Sequence, residues 1–389
     1  MKKYDVAVIG AGVFGAWTAL ELARRGKSVI LLEAYGPGHS RSSSGDESRI
    51  IRMGYGKDEI YTRWSQRSLT QWRELFAVCG QKLFYETGVL WLAGADETRL
   101  NETRATLKQC GVLFEDLDAS ALREEYPQIG LNGIRSAILE PHSGVLLARR
   151  AVATVVEAAV RLGAEYRCAR VIYNREQERV EEERSFHNTR MFAGHYSPIE
   201  AEQYVFACGP WLAKIFPEIV GPRLFVTRQE VFYFGLPAGD SRFAPPALPT
   251  FLFQNDESYG MPDIESRGLK IAFDAHGVAV DPDAQSRVVS EESARKMKAY
   301  VARRFPALEN APIAETRVCQ YENTSNGDFL IDRHPEMKNV WLVGGGSGHG
   351  FKHGPAVGEY VAGQLLNGAA PEPRFSLATK ETVQRRAVY

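Results

Sequence analysis

The start of the chain has the apolar pattern of a strand, a helix and a second strand. Residues 6–9 form a short apolar run of the kind found in central parallel strands that are buried on both faces. Helical apolar spacing then runs from Ala16 to Ala23, stops at Gly26, and gives way to a second apolar run at 29–32. These segments predict a βαβ unit.

Later segments extend this pattern. An amphipathic helix is predicted over residues 148–159, followed by a strand around Val171. Two further apolar runs, at 204–207 and 340–343, are each followed by glycine, and a last helix is predicted over 355–366. Because parallel strands expose a ligand crevice at their carboxyl ends, we predict an α/β fold with a binding site after these strands.

The composition narrows the kind of partner. With 44% hydrophobic and 24% charged residues, the 389-residue chain has the composition of a globular protein large enough for two domains. The formal net charge of −1 gives no reason to expect nucleic acid or an anionic membrane as a partner. A small-molecule partner is expected.

The five cysteines are scattered, with no C-x-x-C pair, so neither a metal site nor a disulfide framework is predicted. The first residues lead directly into a strand, which leaves no space for a signal peptide, and no apolar run is long enough to cross a bilayer. We expect a cytoplasmic protein.

A nucleotide-binding fingerprint occupies the turn after the first strand. Residues 10–15, Gly-Ala-Gly-Val-Phe-Gly, fit the pattern G-x-G-x-x-G between a predicted strand and helix, and Glu33 ends the second strand. Gly10 would permit the tight turn, Gly12 the approach of a pyrophosphate, and Gly15 close packing of helix on strand. The motif indicates a dinucleotide but does not distinguish NAD from FAD.

A second glycine-rich turn favours FAD. Residues 344–350, Gly-Gly-Gly-Ser-Gly-His-Gly, follow a predicted strand and precede the last predicted helix. A helix N-terminus here could face the N1/C2=O edge of a flavin, where the reduced ring carries negative charge. The other interpretation is a turn that serves packing only.

We therefore predict a Rossmann-like FAD-binding domain that is discontinuous in sequence, over residues 1–83, 141–224 and 316–389. Residues 84–140 and 225–315 have mixed β-like runs and are assigned to a substrate-binding domain with an antiparallel sheet. The charged segment 174–203 is interpreted as a surface hairpin or mobile excursion without an assigned function.

Five ordered motifs carry a family resemblance. They are Gly-Asp-Glu-Ser-Arg-Ile-Ile-Arg at 45–52, Glu-Pro-His-Ser-Gly-Val-Leu at 140–146, Gly-Leu-Lys at 268–270, Cys-Gln-Tyr at 319–321 with Phe-Leu-Ile-Asp-Arg-His-Pro at 329–335, and Gly-Ser-Gly-His-Gly-Phe-Lys at 346–352. With these motifs, the chain resembles the monomeric sarcosine oxidase and N-methyltryptophan oxidase family, which are FAD-dependent amine oxidases of the D-amino-acid-oxidase type.

The resemblance implies a cofactor site. Cys319 would carry a thioether to the flavin 8α carbon, and Arg49 would lie beside the flavin ring. Without the motif, Cys319 would be interpreted as a buried, inert core residue. The residues expected to bind the cofactor are Gly10, Gly12, Val13, Phe14, Gly15, Glu33, Ser43, Ser44, Arg49, Val171, Cys319, Gly346, Gly348, His349, Gly350 and Lys352.

The resemblance also implies a substrate and oxygen site. Arg52 and Lys352 would bind a substrate carboxylate, and Lys270 would promote the reaction with oxygen near flavin N5. Taken without the motifs, each of these cations could be an exposed surface residue. The residues expected to be catalytic are Lys270, Arg49, Arg52, Lys352, Tyr259 and Asp274, and Tyr55 and Tyr321 match further tyrosines of the family site.

Three positions depart from the sarcosine oxidase pattern. Asp274 stands where a histidine is expected, with His276 two residues further on, Gly45 replaces another histidine, and Gly346 replaces a phenylalanine. Because the two glycines remove bulk, the substrate pocket is expected to admit something larger than sarcosine, or a cationic amine that Asp274 could pair with.

These features predict an FAD-dependent oxidase of a secondary amine or amino acid that carries a carboxylate. The products would be an imine, which hydrolyses, and hydrogen peroxide, and the enzyme would be a monomer. Two alternatives stay open at this point: a dehydrogenase that passes electrons to a quinone or carrier protein, and a protein that uses FAD for structure only.

Overall fold

The computed structural model describes residues 2–174, 177, 179–186 and 191–385. The helices are α1 (Val13–Arg24), α2 (Glu59–Cys79), α3 (Thr98–Gln109), α4 (Ala119–Glu125), α5 (Ala148–Arg161), α6 (Leu212–Ile215), α7 (Glu291–Arg304) and α8 (Gly354–Asn367). The strands are β1 (Lys3–Ile9), β2 (Val29–Glu33), β3 (Arg49–Ile51), β4 (Phe84–Tyr85), β5 (Val89–Ala93), β6 (Glu115–Asp118), β7 (Ser136–Glu140), β8 (Gly144–Leu146), β9 (Glu165–Asn174), β10 (Arg179–Phe186), β11 (Met191–Pro198), β12 (Glu200–Phe206), β13 (Phe225–Phe234), β14 (Thr250–Phe253), β15 (Ser258–Met261), β16 (Leu269–Phe273), β17 (Ile313–Asn323), β18 (Leu330–Arg333) and β19 (Val340–Gly344).

The first sheet has the strand order β11-β10-β9-β2-β1-β12-β19-β18. Its five central strands, β9 to β19 in that order, run parallel, and the strands outside them pair in antiparallel fashion. The predicted βαβ unit and the two later apolar strands are confirmed, and their carboxyl ends meet at one edge of the sheet. Of the predicted surface excursion, β10 and β11 form an antiparallel hairpin at the sheet edge, whereas residues 175, 176, 178 and 187–190 lie outside the described residues.

The second sheet is mostly antiparallel, with the order β17-β13-β16-β15-β14-β5-β7-β6, and a small third sheet joins β3, β8 and β4. Mixed α/β architecture with a second, antiparallel sheet was the predicted fold class. The proposed division assigned residues from 316 onward to the FAD-binding domain, but residues 316–323 belong to β17 and pair with β13 in the second sheet. Strand β17 is thus the last strand of the second sheet along the chain, and the next strand, β18, belongs to the first sheet.

Helix α1 is enclosed by the first sheet, α5 and α8. Trp17 on α1 is fully buried and meets Trp72 of α2 edge to face, with ring centroids 4.9 Å apart. Burying aromatic side chains of this size contributes strongly to core stability. The packing holds the N-terminus of α1 rigidly at the carboxyl edge of the parallel strands.

Two glycines make the turn between β1 and α1 possible. Gly10 has a φ of +100°, and a Cβ atom on it would lie 2.4 Å from the Ala207 carbonyl oxygen. A Cβ on Gly15 would lie 1.9 Å from the Gly10 carbonyl oxygen. Side chains at either position would force the helix away from the sheet, so the close packing expected from the fingerprint is a steric requirement.

Candidate functional site

A cavity of about 630 Å³ opens at the carboxyl edge of the parallel strands. Its volume lies within the range of about 300–1,000 Å³ that small-molecule and cofactor sites occupy. The expected cofactor residues that line it are Gly10, Gly12, Val13, Phe14, Glu33, Ser43, Ser44, Arg49, Val171, Gly346, Gly348 and Gly350. This larger cavity therefore unites segments from the whole length of the chain.

The other expected cofactor residues lie nearby but not on this lining. Gly15 packs behind the glycine turn, Cys319 lies behind Arg49, and His349 and Lys352 line a second cavity. Cys319 is buried, its sulfur accepts a hydrogen bond from Arg49 Nη2 at 3.3 Å, and it lies 3.8 Å from the Ser43 carbonyl oxygen. Both neighbours line the larger cavity.

Glu33 closes the end of the larger cavity near the glycine turn. Its carboxylate accepts hydrogen bonds from the backbone N–H groups of Ala11, at 2.8 Å, and Tyr35, at 3.1 Å. Burial raises the pKa of Glu33, and these two backbone bonds oppose the shift. The side chain is thereby fixed where a ribose diol of a dinucleotide could donate to it.

A buried ionic cluster beside the larger cavity joins the second sheet to the segment that leads into β3. Lys270 Nζ on β16 donates to Asp46 Oδ2 at 2.6 Å and to the Ser48 carbonyl oxygen at 2.8 Å, and Arg49 Nη1 donates to the same carboxylate oxygen at 2.5 Å. Tyr233 OH donates to Asp46 Oδ1 at 3.2 Å. Asp46 therefore fixes both expected catalytic cations, although its role was not predicted from the sequence.

The charges in this cluster shift one another's pKa. Burial alone would raise the pKa of Asp46, but Lys270 and Arg49 outweigh it and hold the pKa well below its usual range. Burial lowers the pKa of Lys270 to about 8, because desolvation exceeds the opposing attraction of Asp46. Asp46 thus stays a carboxylate, and Lys270 loses its proton more easily than an exposed lysine.

A smaller cavity of about 60 Å³ adjoins the larger one. Both cavities are lined by Arg49, Tyr321, Ser347, Gly348 and Phe351. The smaller cavity also has on its lining Arg52, Tyr259, Asp274, His276, His349 and Lys352. All six residues expected to be catalytic are therefore close together, five of them on this lining and Lys270 in the adjoining ionic cluster.

Arg52 and Lys352 are both buried cations. The guanidinium of Arg52 lies over the rings of Tyr55 and Trp91, at 4.5 and 4.7 Å from their centroids, and donates to the Gly54 carbonyl oxygen. Lys352 Nζ donates to Tyr55 OH at 2.8 Å and to the His349 carbonyl oxygen at 2.9 Å. Within the described ranges, neither cation forms an ion pair with a carboxylate.

Burial and the neighbouring charge of Arg52 lower the pKa of Lys352 well below its usual range, while Asp274 and Glu140 act in the opposite direction. An anion in the smaller cavity would restore the charged form of this lysine. Tyr55 also contacts two histidines, His353 Nε2 at 2.7 Å and His349 Nδ1 at 3.3 Å. Tyr55 therefore orients Lys352 from one side of the cavity.

The lining of the smaller cavity also includes Asp274. Tyr321 OH donates to Asp274 Oδ1 at 3.0 Å. Burial raises the pKa of Asp274, against the opposing effects of Tyr321 and the cations Arg52 and Lys352. Burial likewise raises the pKa of Tyr259 above its usual range. The lining of the smaller cavity thus combines basic side chains with a carboxyl group.

The expected enlargement at Gly45 is wrong. A Cβ atom there would lie 2.0 Å from the His39 carbonyl oxygen, and Gly45 lines neither of the two cavities. The space a histidine would need is filled by backbone. Gly346 lines the larger cavity rather than the smaller one, so its lack of a side chain gives space on the cofactor side.

Glu140 supports the segment that carries Arg52. Its buried carboxylate accepts hydrogen bonds from the backbone N–H groups of Met53, at 2.7 Å, and Gly54, at 2.9 Å. It also accepts from Trp91 Nε1 at 2.7 Å and from Ser143 Oγ at 2.6 Å. The motif at 140–146 was used only as a mark of family resemblance, and this positioning role was missed.

Replacing Glu140 by alanine is expected to lower the free energy of unfolding by about 3 kcal/mol, because several buried donors lose their acceptor. Urea unfolding of the purified protein measures the change. Glu86→Ala is the matched control: its carboxylate forms exposed ion pairs with Arg73 and His142, which contribute about 0–1 kcal/mol. Equal, small effects of the two substitutions would contradict the positioning role of Glu140.

Comparison with known proteins decides the family. A profile described as FAD dependent oxidoreductase matches residues 5–364. The chain belongs to this family. It is 30% identical over 397 residues to monomeric sarcosine oxidase of Bacillus sp. (strain B-0618), covering 99% of both chains. It is 28% identical over 388 residues to N-methyl-L-tryptophan oxidase of Yersinia pestis (strain Pestoides F), covering 96% of this chain and 99% of the relative.

A solved structure extends the comparison to the fold. The chain superimposes on L-proline dehydrogenase from P. horikoshii with a TM-score of 0.81 at 22% sequence identity, covering 97% of each chain. At that identity the likeness concerns the fold alone. The family membership and the sarcosine oxidase relatives make the protein an FAD-dependent oxidoreductase that acts on the C–N bonds of amines.

The larger cavity fits FAD on its own features. A Cβ atom on Gly12 would meet only Ser44 Oγ, at 3.6 Å, so the backbone at the start of α1 is open to a phosphate group. Across the described ranges, no group of His, Cys, Asp and Glu side chains could hold a metal ion. In the same ranges no helix combines the length and the apolar composition needed to cross a bilayer.

Proposed function

We propose that this FAD-dependent oxidoreductase oxidises a secondary amine or an amino acid that carries a carboxylate, with oxygen as the electron acceptor. The products are an imine, which hydrolyses in water, and hydrogen peroxide. The observation that supports the proposal is the pair Arg52 and Lys352, two buried basic side chains without an ion-pair partner among the described residues, on the lining of one small cavity. Buried charges of this kind require a counter-ion.

The substrate carboxylate supplies that counter-ion. Arg52 binds it with its planar fork, and Lys352, oriented by Tyr55, adds a point charge. FAD bound in the larger cavity would supply the redox chemistry, a two-electron oxidation of the amine coupled to the reduction of oxygen. Arg49 lines both cavities and lies at the junction between substrate and cofactor.

Lys270 serves the oxygen reaction in this proposal. Its ammonium group is held by Asp46 and Ser48, so it is oriented before oxygen arrives. A fixed cation stabilises the negative charge that develops on oxygen as it is reduced. The role is distinct from that of Arg52, and the two are separable by experiment.

Asp274 and Tyr259 are proposed to select the amine. The carboxyl group of Asp274 faces the same cavity as the carboxylate-binding cations, at the position where the sarcosine oxidase pattern has a histidine. A substrate with a hydrogen-bond donor or a second positive charge beyond its reacting nitrogen would have a partner there. N-methyl amino acids, as in the names of the relatives, are the first substrates to test.

Anaerobic titration of the flavin absorbance tests the proposal. The panel consists of sarcosine, N-methyltryptophan, proline and a glycated amino acid, each paired with its methyl ester. We expect at least one free acid to bleach the flavin and its ester to fail, because the ester removes the charge that Arg52 and Lys352 bind. Admission of air should restore the colour and release hydrogen peroxide.

Two results would contradict the proposed amine oxidase activity. If no amine of the panel reduces the flavin, the proposed substrate class is wrong. If an amine reduces the flavin but oxygen restores it no faster than it restores free flavin, the acceptor is a quinone or carrier protein rather than oxygen.

We further propose that the flavin is attached covalently through Cys319. The support is the position of the thiol beside Arg49 and Ser43, which line the larger cavity, and its motif. Acid-denatured protein is expected to stay yellow and to exceed its sequence mass by one FAD, whereas Cys319→Ser should release all flavin on denaturation. Cys208→Ser is the matched control and should retain the flavin, because Cys208 is a half-buried thiol on the lining of the same cavity whose sulfur donates to the Ile9 carbonyl oxygen.

Free flavin from the denatured unmodified protein would disprove the attachment and leave the amine oxidase proposal standing. The domain division, with the substrate-binding part at 84–140 and 225–315, is also a proposal, and the pairing of β17 with β13 extends the second of these segments to residue 323. The monomeric state and the cytoplasmic location are likewise proposals, and the scattered cysteines support the location. Sedimentation of the purified protein tests the monomer.

A further inference from the structure

Glu322 lies at the end of β17 and is one of the residues that line the larger cavity. The residue is only 7% exposed. Its Oε1 atom accepts a hydrogen bond from the backbone N–H of Gly346 at 3.3 Å. Its Oε2 atom is buried and has no hydrogen-bond partner in the described part of the chain. A buried polar atom left without a hydrogen-bond partner is destabilising, so a ligand that hydrogen-bonds to this oxygen would offset the cost.

Two glycines, Gly209 and Gly344, lie close to Oε2, and the side chain of Leu212 packs beside Gly344. A Cβ atom on Gly209 would lie 3.6 Å from Oε2, and one on Gly344 would lie 3.5 Å from it. Gly209 follows β12, and Gly344 ends β19, so the carboxyl group lies over the ends of two adjacent parallel strands. This is the crevice in which α/β sheets bind their ligands.

The position of Glu322 identifies the part of the cofactor that it faces. The glycine turn before α1, which receives a pyrophosphate in dinucleotide-binding folds, lines the same cavity as Glu322. So does the loop at 345–350, to which Glu322 is hydrogen-bonded through Gly346 and which contacts the start of α1 through Gly350 and Phe14. Between pyrophosphate and flavin ring, FAD has a ribityl chain with three hydroxyl groups.

We propose that Glu322 is a cofactor-binding residue whose free carboxyl oxygen hydrogen-bonds a hydroxyl group of the ribityl chain of FAD. This assignment rests on FAD binding and not on the identity of the amine. The assignment gives the unpartnered oxygen of Glu322 a function. It also means that the second sheet contributes a cofactor-binding residue in addition to those of the glycine turn.

The protonation state of the carboxyl group fits this role. Burial raises the pKa of Glu322 to about 8, and the bond from Gly346 opposes the shift only in part. The group is therefore neutral over most of the physiological range and does not repel the negatively charged pyrophosphate. As a neutral acid it can donate a hydrogen bond through one oxygen while the other accepts one from Gly346.

Glu322→Gln and Glu322→Leu test the proposal, both in a Cys319→Ser background and prepared without flavin from riboflavin-depleted cells. Glutamine keeps one donor and one acceptor, whereas leucine keeps the approximate volume and removes both. We expect Glu322→Leu to bind FAD about tenfold more weakly than its parent, and Glu322→Gln to bind with nearly the affinity of the parent. Flavin fluorescence quenching on titration with FAD measures the dissociation constants.

The thermal stability of the flavin-free variants separates this role from a structural one. Because leucine replaces an unpaired buried carboxyl group by an apolar one, the flavin-free Glu322→Leu protein should be as stable as its parent or more stable. Weaker FAD binding together with unchanged or higher flavin-free stability supports the proposal. Parental affinity in Glu322→Leu overturns it, and so does an equal loss of affinity and of flavin-free stability in both variants. None of these readouts requires a substrate.

Discussion

Replacing Lys270 by methionine is expected to slow the reaction of the reduced protein with oxygen about 10²- to 10³-fold, the range found when one preorganised electrostatic contact is removed from an active site. Reduction by the amine under anaerobic conditions should change little, because Lys270 lies in the ionic cluster and not on the lining of the smaller cavity. Stopped-flow mixing of the reduced protein with oxygen measures the first rate, and anaerobic mixing with the amine measures the second.

The oxygen reaction should also depend on pH. Since burial lowers the pKa of Lys270 to about 8, the ammonium form is present below that pH and is lost above it. The rate of the unmodified protein should fall as the pH is raised through about 8, and Lys270→Met should lack this step. Lys298→Met, an exposed lysine on α7, is the control and should leave both half-reactions unchanged. An unchanged oxygen rate in Lys270→Met would refute the assignment.

Replacing Arg52 by alanine is expected to lower kcat/KM for a carboxylated amine about 10²- to 10³-fold, consistent with the cost of about 2–5 kcal/mol for removing one partner of a buried charge pair. Most of the loss should appear as a higher KM. Arg52→Lys keeps the charge but loses the planar fork of the guanidinium and its stacking on Tyr55 and Trp91. Its kcat/KM should therefore lie between that of Arg52→Ala and that of the unmodified protein.

The decisive control for Arg52 is the substrate. The ester of the same amine has no carboxylate to bind, so Arg52→Ala should reduce its slow turnover far less than that of the free acid. Arg63→Ala, on the exposed side of α2, should affect neither substrate. Equal losses with acid and ester would mean that Arg52 supports the structure of the cavity rather than binding the carboxylate.

Much of the fold was predictable because the signals are local. The run at 6–9, the fingerprint at 10–15 and the acid at Glu33 lie within one βαβ unit, so their spacing alone indicates how they meet. The same holds for β19 and the glycine-rich loop after it. The grouping of Arg52 with Lys352 came from family resemblance, since these two residues lie on elements far apart in sequence.

The supporting residues were missed because their partners are distant. Asp46 becomes significant only when Lys270, 224 residues later, donates to it. Glu140 gains its role from backbone N–H groups 86 and 87 residues earlier, which no side-chain pattern marks. The misjudged Gly45 has the same cause: whether a missing side chain opens space depends on the backbone opposite, here His39.

Strand β17 presents the proposed cofactor attachment and the proposed hydroxyl-binding group on opposite faces. Successive side chains of a strand alternate, so Cys319 and Tyr321 point to one side and Gln320 and Glu322 to the other. Inserting or deleting a single residue within the part of β17 that pairs with β13 would move every following side chain to the other face of the strand. A change in the length of β17 would therefore disturb the proposed attachment and the proposed hydroxyl contact together, whereas a substitution on one face would affect only one of them.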